Sequence, residues 1–423
     1  MKKIPLYLRI ILGMVIGVVF ALAASQFSNG SQFIKDWIKP FGNIFINLLK
    51  LIAVPLILGS LIKGVSDLKD LTKLSIMGWR TICLYLFTTV LAVSIGLVIA
   101  NVIKPGNTLS AETRNELLAT YGTAVEKSNE VAKQQKESSP LKFLEDIVPD
   151  NIFGAATSNG KMLQVIFFAL FVGIAMILLP QKSVQPFKNF FDSFNDIILK
   201  MIDIIMLAAP FGVFALIASL VAESPSAELF KALGIYALCV LGGLAILILI
   251  IYPLMVYFFA KRNPVKFLKQ ISAAQLLAFS TSSSAATLPV TMEVVEKNVG
   301  VDNEVSSFVL PIGATINMDG TSLYQAVAAI FIAQAFGMDL GLTAQLGIIL
   351  TATLASIGSA AVPGAGMVML IIVLTQAGIP EAGLALIFAV DRPLDMARTT
   401  ANVTSDCTIA TIVAKAIGKL EQR

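Results

Sequence analysis

The chain has 423 residues, 56% of them hydrophobic and only 14% charged, and its mean hydropathy is +0.82. Soluble domains carry about 25% charged residues and need polar surface to cover their cores, so this composition specifies a polytopic membrane protein. The net charge of +4 is too small for a nucleic-acid footprint, the lack of histidine excludes Ser-His-Asp chemistry, histidine metal sites and histidine proton relays, and the dispersed Cys83, Cys239 and Cys407 make neither a disulfide framework nor a CxxC site.

A hydrocarbon core about 30 Å thick is crossed by ~20 apolar helical residues. Stretches of that kind lie near 10–25, 41–62, 82–103, 162–180, 204–221 and 232–260. Two longer ones, near 305–336 and 383–414, carry a few charges. The first follows Lys2 and Lys3 and ends at Ala21-Leu22-Ala23, the outline of a secretory signal. A chain this apolar needs an entry helix there, and it reads as a retained span. Basic residues favour the cytoplasmic side. They gather at Lys2, Lys3 and Arg9, at Lys63, Lys69, Lys73 and Arg80, at Lys261, Arg262, Lys266 and Lys269, and at Lys415, Lys419 and Arg423. This predicts two cytoplasmic termini and an even number of crossings. The polar stretch 104–161 holds seven basic and eight acidic residues, shows no inside bias, and is expected to be an extracytoplasmic loop.

Two segments fit neither class. Residues 271–292 are uncharged but rich in Ser and Thr at their centre. Residues 341–379 are uncharged for 39 residues, too long for one helix, and are interrupted by Ser356-Ile357-Gly358-Ser359 and Val362-Pro363-Gly364-Ala365-Gly366. Irregular backbone at membrane depth is tolerated where it is buried in protein or lines a polar cavity. Both segments are therefore read as re-entrant helical hairpins with polar tips; the plainer alternative is one ordinary span and one tight pair. Each half of 271–414 then holds a broken hairpin followed by a long helix with a polar interruption. Broken helices at matching positions point to a transporter binding site.

Ionisable groups inside a membrane segment cost several kcal/mol and mark pathways. Asp319, in Asn317-Met318-Asp319-Gly320-Thr321, is the only charge in 305–336. The helix is expected to unwind there and free carbonyl oxygens; the alternative is a lone Asp capping a kink. In 391–406, a step of about 100° per residue puts Asp391, Asp395, Arg398, Asn402 and Asp406 within an arc of roughly 80°. Pairing Arg398 with one aspartate leaves carboxylates in surplus, which must be protonated or met by cations. With oxygen ligands alone the cation is hard, Na⁺ or H⁺. The competing reading is a salt-bridged packing face. The planar fork of Arg398 suits a substrate carboxylate, and an aspartate one turn away suits an ammonium, which together describe an acidic amino acid. Ser282, Ser283 and Ser284 offer small polar donors, and Gly364 and Gly366 permit close backbone approach.

The NMDGT segment, the serine-rich hairpin tip, ASIGSAAVPGAG (355–366) and DMARTTANVTSD (395–406) resemble the glutamate transporter homologues, the dicarboxylate/amino acid:cation symporters. The likeness runs over nearly the whole chain and is strongest from 271 to 416. It implies an all-α membrane protein of eight transmembrane helices plus two re-entrant hairpins with inverted repeats, a homotrimer in the cell (inner) membrane that works as an elevator. Residues 1–78 and 162–225 would form a scaffold in contact with lipid, and 79–103 and 226–423 a transport domain. The resemblance implies a substrate site of Ser283, Ser284, Thr321, Val362, Gly366, Asp395, Arg398, Thr399 and Asn402. Arg398 with Thr321 would take the side-chain carboxylate of L-aspartate or L-glutamate, Asp395 with Thr399 the ammonium, and Asn402 with the tip at Ser284 the α-carboxylate. One Na⁺ would use Gly313, Asn317, Asn402 and Asp406. A second would use Tyr85, Thr88, Thr89, Asn317 and Asp319. A third would use backbone of Thr315, Ser356, Ile357 and Ser359 near Met318. Relatives often carry a second arginine at the position of Ser282 or Met396; Arg392, one turn before Met396, is expected to take that place and tune affinity and release without touching substrate.

The leading expectation is Na⁺-coupled uptake of aspartate or glutamate. Its rivals are an H⁺-coupled glutamate or C4-dicarboxylate symporter, a neutral amino-acid carrier, and a passive channel as a side activity. From another class, an intramembrane aspartyl protease would need Asp319 and Asp395 to share one proton.

Overall fold

The computed structural model describes residues 6–27, 29–67, 75–110, 148–157, 161–223, 227–357, 359, 361 and 363–421. Lys2, Lys3, Lys69, Lys73, Gly358, Val362, Arg423 and most of the 104–161 stretch lie outside the described residues. Among the described residues the chain is helical, with no β-strand; one isolated antiparallel bridge joins Val301 to Leu420.

The first helices are α1 (Leu6–Ala24), α2 (Gly30–Ser66), α3 (Ser75–Ile103), α4 (Met162–Leu178), α5 (Gln181–Leu207), α6 (Ala209–Glu223) and α7 (Glu228–Ala260). Gly30–Ser66, Met77–Thr108 and Glu228–Ala260 are each long and apolar enough to cross a bilayer alone. The single span expected at 204–221 is broken instead: α5 meets α6 at a bend of 52°. Pro210 explains the break, since it donates no backbone N–H and its ring crowds the carbonyl four residues back. The 104–161 stretch also begins as ordered structure: Gly106 N–H donates to Gln334 Oε1 at 3.1 Å, and a Cβ on Gly106 would lie 2.6 Å from the Phe331 carbonyl oxygen.

Helices in a membrane associate through small residues that let backbones approach. Accordingly α1 lies on α6 through Gly13 and Gly17, where a Cβ would come within 2.3 Å of Pro210 O and 2.8 Å of Phe214 O. Helix α2 packs on α5 and α6, with Lys63 Nζ 2.9 Å from Asp192 of α5, and α4 packs on the second half of α2.

The second half of the chain carries both expected breaks. Helices α8 (Pro264–Thr281) and α9 (Ser284–Val294) are separated by Ser282, whose φ of 53° is left-handed, and by Ser283, which caps α9 by accepting from Ala286 N–H at 3.1 Å. Helix α10 (Asn303–Ile316) stops at Asn317 and Met318, and α11 (Asp319–Ala335) starts at Asp319. Helices α12 (Leu342–Ile357) and α13 (Ala365–Gln376) flank a tip in which Gly364 has φ +83°, a conformation open to glycine and strained for other residues. Helix α14 (Leu384–Ala416) carries its polar interruption without unwinding. It runs unbroken for 33 residues although Pro393 lies inside it, so the repeat extends to the two hairpins and only one of the two long helices unwinds. Helix α14 is central, against α7, α8, α10 and α11, and every side chain from Ala401 to Ala414 is buried. Helix α3 lies along α11.

Candidate functional site

The buried carboxylates divide into two kinds. Asp319 opens α11 directly after the unwound Asn317-Met318 and is fully buried. Three hydroxyls from three helices donate to it: Thr89 of α3 at 2.7 Å, Tyr252 of α7 at 3.0 Å and Ser405 of α14 at 2.7 Å. Tyr85, Thr88 and Thr89 share one face of α3, as i, i+3, i+4 spacing requires. Tyr85 O–H donates to Val309 O at 3.0 Å and the Thr88 hydroxyl donates back to Tyr85 O at 3.1 Å; the Thr89 hydroxyl, whose one proton faces Asp319, also lies 2.8 Å from Tyr85 O. Asp406 of α14 accepts from Asn317 Nδ2 at 2.8 Å. Asn317 Oδ1 is buried and accepts nothing among the described residues. Gly313 faces this cluster so closely that a Cβ would lie 2.3 Å from Tyr85 OH and 2.4 Å from Asp406 Oδ1. Among the described residues neither Asp319 nor Asp406 has a basic partner. Each is a carboxylate held by neutral polar groups, Asp319 by three hydroxyls and Asp406 by the Asn317 amide.

Asp391 and Asp395 are the second kind. Arg398, wholly buried, donates from Nη1 to Asp391 at 2.9 Å and from Nη2 to Asp395 at 2.7 Å. Its guanidinium lies over the Tyr324 ring, 3.8 Å from the centroid. Arg392 donates to the other oxygen of Asp395 at 3.0 Å. Two arginines thus match two aspartates. The surplus of negative charge expected on this stripe falls on Asp406, and with it on Asp319. Among the described residues, Arg398 Nε and Arg392 Nε are buried without hydrogen-bond partners.

The break in α10–α11 is stitched from both sides. Ser356 Oγ accepts from Met318 N–H at 2.9 Å and donates to Ile316 O at 3.0 Å. Asn402 Oδ1 accepts from Gly320 N–H at 2.8 Å, while its Nδ2 reaches Thr321 Oγ1 and Met318 Sδ, both at 3.3 Å. The two hairpin tips meet where Ser283 Oγ donates to Ala361 O at 2.6 Å, and Gly364 N–H of the second tip donates to Asp395 at 3.3 Å. Between tips and helices is a tight cleft of about 10 Å³ lined by Ser284, Thr321, Gly366, Asp395, Thr399 and Asn402, with Ser282, Met318, Ser359 and Ala361. Thr399 Oγ1 is tied to Asp395 O at 2.9 Å. Thr315 is exposed, its hydroxyl bonded within its own helix to Ile312 O at 2.9 Å.

A model of the sodium:dicarboxylate symporter family matches residues 6–416. The chain belongs to that family. It is 36% identical over 460 residues to excitatory amino acid transporter 3 of Oryctolagus cuniculus, covering 100% of this chain and 87% of that protein. It is 35% identical over 433 residues to the proton/sodium-glutamate symport protein of Geobacillus stearothermophilus, covering 100% and 97%. An excitatory amino acid transporter of Caenorhabditis elegans is 38% identical over 403 residues, 88% of this chain and 80% of that one. A symporter family is one of membrane transporters, not enzymes. Geometry also opposes the protease reading, because Asp319 and Asp395 hold separate sets of partners and share no proton.

Most of the residues singled out in the sequence gather in this symporter's core. Ser284, Thr321, Gly366, Asp395, Thr399 and Asn402 line one cleft, and Ser283 joins the two tips above it. Arg398 adjoins the cleft through Asp395. Gly313, Asn317 and Asp406 form one cluster; Thr89 and Asp319 form the next, with Tyr85 between them. Ser356 acts through its hydroxyl and not only its carbonyl. Three contributors escaped the sequence reading: Tyr252 and Ser405 on Asp319, and Tyr324 beneath Arg398. Tyr252 is one of three tyrosines in the apolar run 232–260, with Tyr236 and Tyr257, and nothing local separates it from the other two.

Proposed function

We propose that the chain is a secondary active symporter coupling inward Na⁺ movement to uptake of aspartate or glutamate by an elevator mechanism. One observation carries this reading: two buried carboxylates held only by neutral hydroxyl and amide groups among the described residues, Asp319 and Asp406, stand beside a self-paired Arg398–Asp395 in a single core. A lone carboxylate among hydroxyl, amide and carbonyl oxygens balances one positive charge and suits a hard monovalent ion. The unpartnered Asn317 Oδ1 is a further acceptor for it. One Na⁺ is assigned to Gly313, Asn317, Asn402 and Asp406, a second to Tyr85, Thr88, Thr89, Asn317 and Asp319, and a third to Thr315, Ser356, Ile357 and Ser359 near Met318.

Substrate enters by exchanging partners. Its side-chain carboxylate replaces Asp395 on Arg398, with Thr321; its ammonium takes Asp395, with Thr399. Its α-carboxylate meets Asn402 and the tip at Ser283 and Ser284. Arg392 stays on Asp395 and Asp391 stays on Arg398 throughout, so neither buried charge is bared during the exchange. A dicarboxylate lacks the ammonium that completes it. The names of the two excitatory amino acid transporters and of the glutamate symport protein support an acidic amino acid.

Residues 1–78 and 162–225 serve as the scaffold, 79–103 and 226–423 as the moving domain, in a homotrimer in the cell (inner) membrane with both termini cytoplasmic. The bacterial relative's name carries both ions, and the test must separate them. Proteoliposomes holding the purified protein are given labelled aspartate or glutamate under a Na⁺ gradient alone or a proton gradient alone. Accumulation is expected with Na⁺. Robust accumulation driven by protons, with none driven by Na⁺, would reverse the choice of ion.

A further inference from the structure

Lys50 lies on α2, and Glu381 lies in the short turn Glu381–Gly383 that leads from α13 into α14. Lys50 Nζ is 2.5 Å from Glu381 Oε2, and Thr375 of α13 donates to Glu381 Oε1 at 2.7 Å. The two charged side chains are 29% and 16% exposed. Five residues earlier on α2, the Phe45 ring meets Phe388 of α14 edge-on, centroids 5.3 Å apart. The pair therefore belongs to a contact between α2 and the far end of the second hairpin, away from the cleft. A contact shifts an equilibrium between two arrangements only when it is made in one of them. Lys50 is in the proposed scaffold and Glu381 in the proposed moving domain, and Thr375 holds the carboxylate aimed before lysine arrives.

We propose that Lys50–Glu381 is a latch that selects the arrangement of the two bodies seen here and must open when the hairpin travels. This rests on the elevator reading above. A partly buried ion pair made in one arrangement shifts occupancy by about threefold to fivefold.

The test uses the full-length chain with Cys83, Cys239 and Cys407 replaced, and dyes on Gln181→Cys and Leu342→Cys, both exposed ends of helices. Single-molecule energy transfer then reports the separation of the two bodies. Lys50→Met and Glu381→Gln are each expected to lower occupancy of the arrangement described here by threefold to fivefold, and the swapped pair Lys50→Glu/Glu381→Lys to restore it. Unchanged occupancy in both single variants, or no recovery in the swap, overturns the latch. So does a single distance in the parent chain, since no second arrangement then exists to select against. Because this readout needs no uptake, two populations in a chain that accumulates neither aspartate nor glutamate would refute the transport reading and leave the latch standing.

Discussion

Gly313→Ala tests the first cation cluster where it is tightest. The new Cβ would lie 2.3 Å from Tyr85 OH, 2.4 Å from Asp406 Oδ1 and 2.8 Å from Asp406 Cγ. Ordinary contact at such atoms is near 3.5 Å, so both oxygens must retreat by about 1 Å. Neither can swing into water: Tyr85 is 1% exposed and Asp406 2%. Tyr85 is held by Val309 O, and Asp406 by Asn317. Overpacking a buried site costs about 1–3 kcal/mol, and a strained or lost buried hydrogen bond costs about 1–3 kcal/mol. If about 2 kcal/mol of this falls on ion binding, affinity drops roughly thirtyfold. The assay is aspartate binding to purified protein titrated with Na⁺. The Na⁺ concentration for half-maximal binding should rise tenfold or more, and aspartate affinity should recover at saturating Na⁺. Gly347→Ala is the control, because a Cβ there meets nothing within 4 Å. A Gly313→Ala protein that melts like the parent and keeps its Na⁺ half-saturation within twofold would refute the reasoning.

Tyr252→Phe removes one of three donors to Asp319. A loss of about 1–2 kcal/mol should raise the Na⁺ requirement roughly tenfold, and an unaltered Na⁺ titration would take Tyr252 out of the cation shell. Arg398→Cys should abolish measurable uptake of acidic substrates and admit neutral amino acids; unaltered aspartate uptake would count against the assignment of the substrate carboxylate. Arg392→Ala leaves Asp395 one cationic partner fewer. Aspartate should bind more tightly and leave more slowly, seen as a lower Kd with slower turnover, and no change in either would remove Arg392 from the tuning of the site.

The polar stripe on the last helix was legible because 3.6-residue periodicity needs no tertiary knowledge. Asp391, Asp395, Arg398, Asn402 and Asp406 do share one side, and the expected unwinding at Asn317-Met318 and both hairpin breaks are present. What escaped were facts set by packing between distant segments. Pro210 bends α5 against α6, but a hydropathy window averages through it. Pro393 has the same chemistry and does not end α14; its ring lies on an exposed side of a helix whose following turns, from Ala401 to Ala414, are buried against four other helices. Tyr252 lies 67 positions from Asp319, and nothing local in its apolar run announces the partner. The charge balance is set by packing in the same way: periodicity does not show that Arg392 reaches Asp395 and joins Arg398 in neutralising it.

Because α14 stays intact, it acts as a rigid spacer between what it holds at Arg398 and what it holds at Asp406. From Arg398 to Asp406 the axial rise is about 12 Å. At that range, with an effective dielectric near 20, opposite unit charges attract by roughly 1.4 kcal/mol, about a tenfold effect on binding. Cooperativity between ion and amino acid larger than this cannot be carried through space. It has to pass along contacts such as the amide of Asn402, which grips the Gly320 N–H and Thr321 from the midpoint of the spacer.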